Sequence, residues 1–215
     1  MRVRDRMTAN PITVQPQTSV NEALRIMQGR KIRRLPVVQD GRLVGIVTLL
    51  DLMRVSASPA TTLSVYELRY LLDRLSVQEA MTRQVITIHP DEPIEQAALL
   101  MREHKIGGLP VVENGRLVGI ITETDIFDAL VDLLGVRQAG ARLEVDCPQR
   151  PDLLAKVATV LGEHGVQAVS LVSTPAGAGR TRLVARVQPP PGPGLYAALA
   201  ELGCQVRDSA GGQAA

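Results

Sequence analysis

Leu35-Pro36-Val37-Val38-Gln39-Asp40-Gly41-Arg42-Leu43-Val44-Gly45-Ile46 returns 74 positions later as Leu109-Pro110-Val111-Val112-Glu113-Asn114-Gly115-Arg116-Leu117-Val118-Gly119-Ile120. The two stretches differ only at the Gln39/Glu113 and Asp40/Asn114 pairs. The same spacing extends outward without a gap. Met7-Thr8 becomes Met81-Thr82, Ile12-Thr13-Val14 becomes Ile86-Thr87-Ile88, and Pro16 becomes Pro90. Lys31-Ile32 becomes Lys105-Ile106, and Thr48 and Asp51 become Thr122 and Asp125. A fixed period of this length is the mark of a duplicated structural unit.

Each copy reads as β-α-β-β-α. Residues 12–14 form a short β-run ahead of a proline. Val20, Ala23, Leu24 and Met27 fall at helical spacing, as do Ile94, Ala97, Ala98 and Met101. Pro93 suits the first turn of the second of these helices. Two apolar runs separated by Asp40-Gly41 or Asn114-Gly115 predict a β-hairpin, because those pairs accept the positive φ of a tight turn. Thr48 and Thr122 end the second strand, and a helix carrying Asp51 or Asp125 follows. One copy, at about 55 residues, is marginal alone. The copies are therefore expected to pack sheet on sheet about a pseudo-twofold axis, leaving two equivalent clefts.

The rest of the chain is ordinary in bulk and different in pattern. Its 215 residues are 45% hydrophobic and 21% charged, with aromatics at 2%, so the core is aliphatic. Basic and acidic side chains number 24 and 22, for a formal charge of +2. That balance gives no electrostatic footprint for nucleic acid, and few aromatics remain for base stacking. No apolar run is long enough to span a membrane, and residues 1–18 lack the apolar segment of a signal peptide. Two cysteines are too few for a disulfide framework. The expected location is the cytoplasm.

The expected organisation is α+β: a first repeat over 1–60, a linker helix over 61–76, a second repeat over 77–136, and a third unit over 140–208. A disordered tail, 209–215, ends the chain. Ser64 and Glu67 form a capping box for the linker helix, which packs between the copies or offers a partner surface. The third unit reads β-α-β-β-α-β, a ferredoxin-like order. Its first and last strands are neighbours, which brings Cys147 and Cys204 together as buried thiols or as a redox disulfide, with thiols the expected state.

No catalytic motif is present: no Gly-x-Ser-x-Gly, phosphate loop or dinucleotide fingerprint. His89, His104 and His164 are scattered, with no carboxylate or cysteine at ligand spacing, so no metal site is expected.

The ordered set of Leu-Pro-Val-Val, Gly-Arg-Leu-Val-Gly-Ile and Thr-x-x-Asp, occurring twice, resembles the tandem cystathionine-β-synthase (CBS) domain pair, or Bateman module, over about residues 3–134. The resemblance implies a non-enzymatic regulatory module whose ligand is AMP, ADP, ATP or S-adenosylmethionine. In similar pairs each cleft takes its base pocket from one copy and its Thr-x-x-Asp from the other. One cleft then uses Thr8, Ile12, Arg33 and Arg34 with Thr122, Thr124 and Asp125. The other uses Thr82, Ile86, Gly107 and Gly108 with Thr48 and Asp51. Two arginines and the extra hydroxyl of Thr124 enrich the first for a highly charged ligand. Two glycines, with Leu50 in place of that hydroxyl, strip the second. Plain structural roles also fit these residues: Asp51 and Asp125 as helix caps, Arg33 and Arg34 as solvated charges.

Residues 149–155, Gln-Arg-Pro-Asp-Leu-Leu-Ala, resemble the entry turn of ACT domains, with Gln149 and Asp152 in place of the usual Asp and Gly. The whole arrangement resembles the acetoin-utilisation B-type proteins. It implies a homodimer formed through the ACT unit and an enzyme as regulated partner. An interaction protein with empty clefts and an amino-acid sensor acting through the ACT unit are the alternatives.

Overall fold

Two hairpins of identical register organise the first part of the chain. In a computed structural model, which describes residues 1–56 and 74–208, β2 (Arg34–Gln39) pairs with β3 (Arg42–Thr48), and β4 (Gly108–Glu113) pairs with β5 (Arg116–Thr122). Asp40 and Asn114 have φ of 52°, and Gly41 and Gly115 follow at 77° and 76°. This is the positive-φ pair that a two-residue hairpin turn requires. Both hairpins carry the same register shift, at Val37/Val38 and at Val111/Val112.

Helices flank each hairpin at matching positions. α1 (Val20–Arg30) precedes the first and α2 (Leu49–Ser56) follows it; after the short α3 (Val77–Ala80), α4 (Ile94–His104) and α5 (Glu123–Leu133) do the same for the second. Val20, Ala23 and Met27 of α1 pack on Leu35, Val37, Val47 and Leu52. The expected β-runs over 12–14 and 86–88 shrink to a single parallel bridge each. Val14 N–H donates to Pro36 O at 3.1 Å, and Val38 N–H donates to Val14 O at 2.9 Å. Ile88 repeats this with Pro110 and Val112. Pro11 and Pro16 flank the first run and lack the N–H groups a longer ladder needs. The sequence reading of a linker helix falls mostly on residues 57–73, and that of a tail on 209–215, outside the described residues.

What joins the copies is a crossed pairing. β1 (Thr8–Ala9) lies antiparallel to β5, with Thr8 opposite Ile120 and Ala9 opposite Gly119. In the related bridge, Thr82 lies opposite Ile46. Each repeat's leading segment therefore pairs with the other repeat's hairpin. The approach is close. A Cβ at Gly119 would lie 3.0 Å from Met7 Cγ and 3.2 Å from the Thr8 carbonyl oxygen; one at Gly45 would lie 3.1 Å from Met81 Cγ and 3.2 Å from the Thr82 oxygen. The second glycine of each Gly-Arg-Leu-Val-Gly run is thus set by the methionine of the other repeat.

The chain divides into two compact units, Met1–Ile126 and Phe127–Ala215. In the second, β6 (Ala141–Pro148), α6 (Leu153–Glu163), β7 (Gln167–Gly177), β8 (Arg180–Gln188), α7 (Pro193–Glu201) and β9 (Gln205–Asp208) build a sheet of order β7-β8-β6-β9. That is the antiparallel ferredoxin-like order. Leu143, Val145, Leu183, Val157, Leu161, Leu195 and Leu199 form its aliphatic core. Cys147 and Cys204, both buried, are joined as a disulfide, which corrects the expectation of two thiols. The antiparallel pairing of Val145 with Val206 and Asp146 with Gln205 sets them side by side at the next position.

Asp146, 5% exposed, is the buried charge of this unit among the described residues. Arg182 donates to it at 2.8 and 3.2 Å, and Arg207 donates to the same carboxylate. The Arg182 hydrogen bond, reinforced by Arg207 and opposed by burial, lowers its pKa from 3.8 to about 2. A depressed folded pKa contributes stability that is complete above the unfolded value of 3.8 and is lost as pH falls toward about 2. Asp146→Asn is expected to flatten the acid limb of a melting-temperature profile in that window.

A second prediction comes from the glycines. Gly119→Ala should cost ~1–3 kcal/mol through overpacking against Met7. Gly29→Ala, in α1 with nothing within 4 Å of the added atom, should gain ~0.5–1 kcal/mol. Opposite shifts in melting temperature are the expected result.

Candidate functional site

The crossed pairing sets the leading segment of the first repeat beside the helix start of the second. Between them lies a cleft of about 320 Å³. It is lined by Thr8, Ile12, Arg33, Arg34, Thr122, Thr124 and Asp125, so the first expected set is brought together at one place. Pro11, Lys31, Ile32, Pro36 and Ile120 complete the wall. These five went unassigned in the sequence reading, though Lys31-Ile32 and Pro36 lie within the duplicated pattern. Lys31 reaches the cleft because it ends α1 in the left-handed conformation, with φ of 54° and its N–H on Met27 O and Gln28 O. Ile12 remains 39% exposed, an apolar face turned to open space beside Ile32 and Ile120.

Asp125 has two oxygens with different tasks. Oδ2 accepts from Thr122 N–H at 2.7 Å and from Thr122 O–H at 2.8 Å. Asp51 Oδ2 accepts from Thr48 N–H at 2.9 Å and O–H at 2.6 Å, and its own N–H donates to Thr48 Oγ1 at 3.2 Å. Thr48 and Thr122 thus stand at the cap positions, and the aspartates, third residues of their helices, bond back to them as in a capping box rather than serving as the caps themselves. The cap uses one oxygen. A carboxylate has about four acceptor sites, and those on Oδ1 take no part in the cap.

The second expected set repeats the same pairing and cap and differs at its glycines. Thr82 sits on Ile46, and Thr48 and Asp51 form their cap. Gly107 and Gly108, read from the sequence as a stripped wall, are instead covered. The Arg34 guanidinium crosses from the first repeat, and Nη1 donates to the Gly107 carbonyl. A Cβ at Gly107 would lie 2.7 Å from Arg34 Nη2, and one at Gly108 would lie 3.0 Å from Arg34 Cζ. The glycines make room for an arginine, and Arg34 is neither fully solvated nor wholly committed to the first cleft. Burial, with the charge of Arg33, pulls its pKa below the ordinary value, while Glu123 and Asp125 act the other way. Arginine remains charged through such a shift.

The sequence reading found no carboxylate at ligand spacing from a histidine, whereas in the structure one histidine has two carboxylates close by. His89, Asp91 and Glu113 offer ligand atoms within 4.8 Å of one another. Arg4 meets Asp91 at 2.7 Å and Glu113 at 3.5 Å, and Arg2 meets Asp91 at 2.9 Å, so both carboxylates already face cations. Among the described residues no helix is long and apolar enough to cross a membrane.

A family model described as the CBS domain matches residues 3–58 and 77–132. L-aspartate semialdehyde sulfurtransferase of Methanocaldococcus jannaschii is 36% identical over 126 residues, which are 58% of this chain and 22% of that enzyme. The chain thus spans about a fifth of that relative's length. Among solved structures, the CBS-domain pair of protein MJ0100, in complex with 5-methylthioadenosine and S-adenosyl-L-methionine, is 34% identical with a TM-score of 0.53, covering 61% of this chain and 97% of that one. A candidate acetoin utilization protein (AcuB) from Vibrio cholerae is 32% identical with a TM-score of 0.54, covering 64% and 96%. CBSX2 in complex with AMP is 33% identical with a TM-score of 0.51, covering 61% and 96%.

The caps can be tested without any ligand. Asp51→Ala and Asp125→Ala each leave a threonine N–H and hydroxyl unpaired at a helix start, and each is expected to cost ~0.5–2 kcal/mol in denaturant melts.

Proposed function

The chain belongs to the CBS-domain family, and we propose that it is a non-enzymatic regulatory protein that binds an adenine nucleotide in the cleft between its two repeats. The observation that carries this reading is the composition of that cleft. Ile12, Ile32 and Ile120 offer an apolar slot for a base, and Asp125 Oδ1 offers acceptors for ribose hydroxyls. Lys31, Arg33 and Arg34 then supply three cations where a phosphate would follow. Hydrogen bonds to charged groups are the stronger class, about 1.5–3 kcal/mol each. The same cations disfavour a sulfonium, so AMP, ADP or ATP is preferred to S-adenosylmethionine. The AMP complex of CBSX2 supports this choice.

In the same reading the second unit is an ACT-like element that carries dimerisation or signalling to an enzyme partner. Its strand order and its entry turn at Gln149-Arg150-Pro151-Asp152 support that role. Amino-acid sensing is disfavoured by Asp152. Its carboxylate lies 3.2 Å from Arg150 and 2.6 Å from Lys156, at the position where a glycine would let a ligand approach closely.

A thermal-shift panel of AMP, ADP, ATP, S-adenosylmethionine and free amino acids tests the proposal. At a hundredfold excess over Kd a bound ligand adds about 2.7 kcal/mol of stability, and the nucleotides are expected to raise the melting temperature while amino acids do not. Asp125→Ala should abolish that shift, whereas Asp51→Ala should retain it. Absence of a shift with every adenosine compound at millimolar concentration overturns the reading.

A further inference from the structure

The duplication makes the two clefts comparable position by position. Arg33 and Arg34 line the first, so Gly107 and Gly108, their equivalents 74 residues on, form the matching wall of the second. That wall faces the first repeat's own arginine. Arg34 Nη1 donates to Gly107 O, Nη2 lies where a side chain on residue 107 would begin, and Cζ lies where one on residue 108 would begin. Glu123 stands beside the same glycine, 3.0 Å from the position of an added Cβ, and Glu123 and Asp125 both favour the guanidinium's charge there. A large cation thus lies over the two glycines of the second wall, hydrogen-bonded to the Gly107 carbonyl and favoured by the nearby charges of Glu123 and Asp125. Gly107 and Gly108 have no side chain to send back onto the first wall.

We infer that Arg34 makes this pair a one-nucleotide module: it contributes to the first cleft and, by covering Gly107 and Gly108, denies the second cleft to a nucleotide. The inference rests on the functional reading above and deepens it, since it fixes how many ligands the symmetric scaffold accepts. A nucleotide entering beside Thr48 and Asp51 has to expel a half-buried guanidinium from its hydrogen bond before it gains any contact. A nucleotide entering beside Thr122 and Asp125 finds an open cleft. The asymmetry is steric and electrostatic, and Arg34 adds to the differences at Arg33/Gly107 and Thr124/Leu50.

Titration calorimetry of the full chain with AMP reads the number directly. Wild type is expected to bind one AMP per chain. Arg34→Ala uncovers the glycines and should bind two, the first with affinity reduced ~10-fold through the lost cation. Arg34→Gln keeps the bulk and a donor for Gly107 O while removing the charge, and should bind one, more weakly than wild type. Two equivalents on wild type or on Arg34→Gln overturn the inference, as does one equivalent on a folded Arg34→Ala. If wild type binds no AMP, ADP or ATP at all, the functional reading falls first and the role of Arg34 falls with it. The two failures are distinguished by whether binding heat is present.

Discussion

Everything in the first unit depends on Met7-Thr8 lying across Gly119-Ile120 and Met81-Thr82 lying across Gly45-Ile46. Each repeat alone is a hairpin with flanking helices and too little buried surface to be stable. By lending its leading segment to the other copy's hairpin, each repeat completes a sheet that it does not own. The exchange has a steric condition, a glycine where the methionine passes. It also has a functional consequence. Thr8 and Ile12 belong to the first repeat and Thr122 and Asp125 to the second, yet they face one cleft because the crossed pairing puts them there.

Symmetry then sets up the site, and a few positions break it, Thr124 against Leu50 among them. The caps at Thr48-Asp51 and Thr122-Asp125 are nearly superimposable in their hydrogen bonding. At the strand starts the copies diverge into Arg33-Arg34 against Gly107-Gly108. The two differences are complementary, because an arginine at 34 needs the missing side chains at 107 and 108. A duplicated gene that began with equal clefts can become unequal in this way without disturbing either hairpin.

Much of this was legible in the sequence. The repeat, the Asp-Gly and Asn-Gly turns and the apolar stripe of α1 follow from local periodicity and turn chemistry. Residues lining the first cleft could be named because the family resemblance supplied the crossing between copies. What stayed hidden is what depends on distance through space. The β-run at residues 12–14 is one bridge long, since its prolines spoil the ladder. Arg34 looked like a contributor to one cleft, and nothing local reveals that its guanidinium ends on Gly107. Cys147 and Cys204, 57 positions apart in the numbering, become bonded through strand order. Glu113 reaches His89 and Asp91 from β4, which no short spacing could indicate.

The central claim is that the crossed pairing creates one open, nucleotide-selective cleft between two copies of the same unit. A crystal structure of the full chain grown with AMP tests it most directly. The account predicts AMP with its ribose on Asp125 Oδ1, its base against Ile12, and Arg34 still over Gly107 and Gly108. AMP lodged beside Asp51, with Arg34 displaced from the glycines, would contradict it.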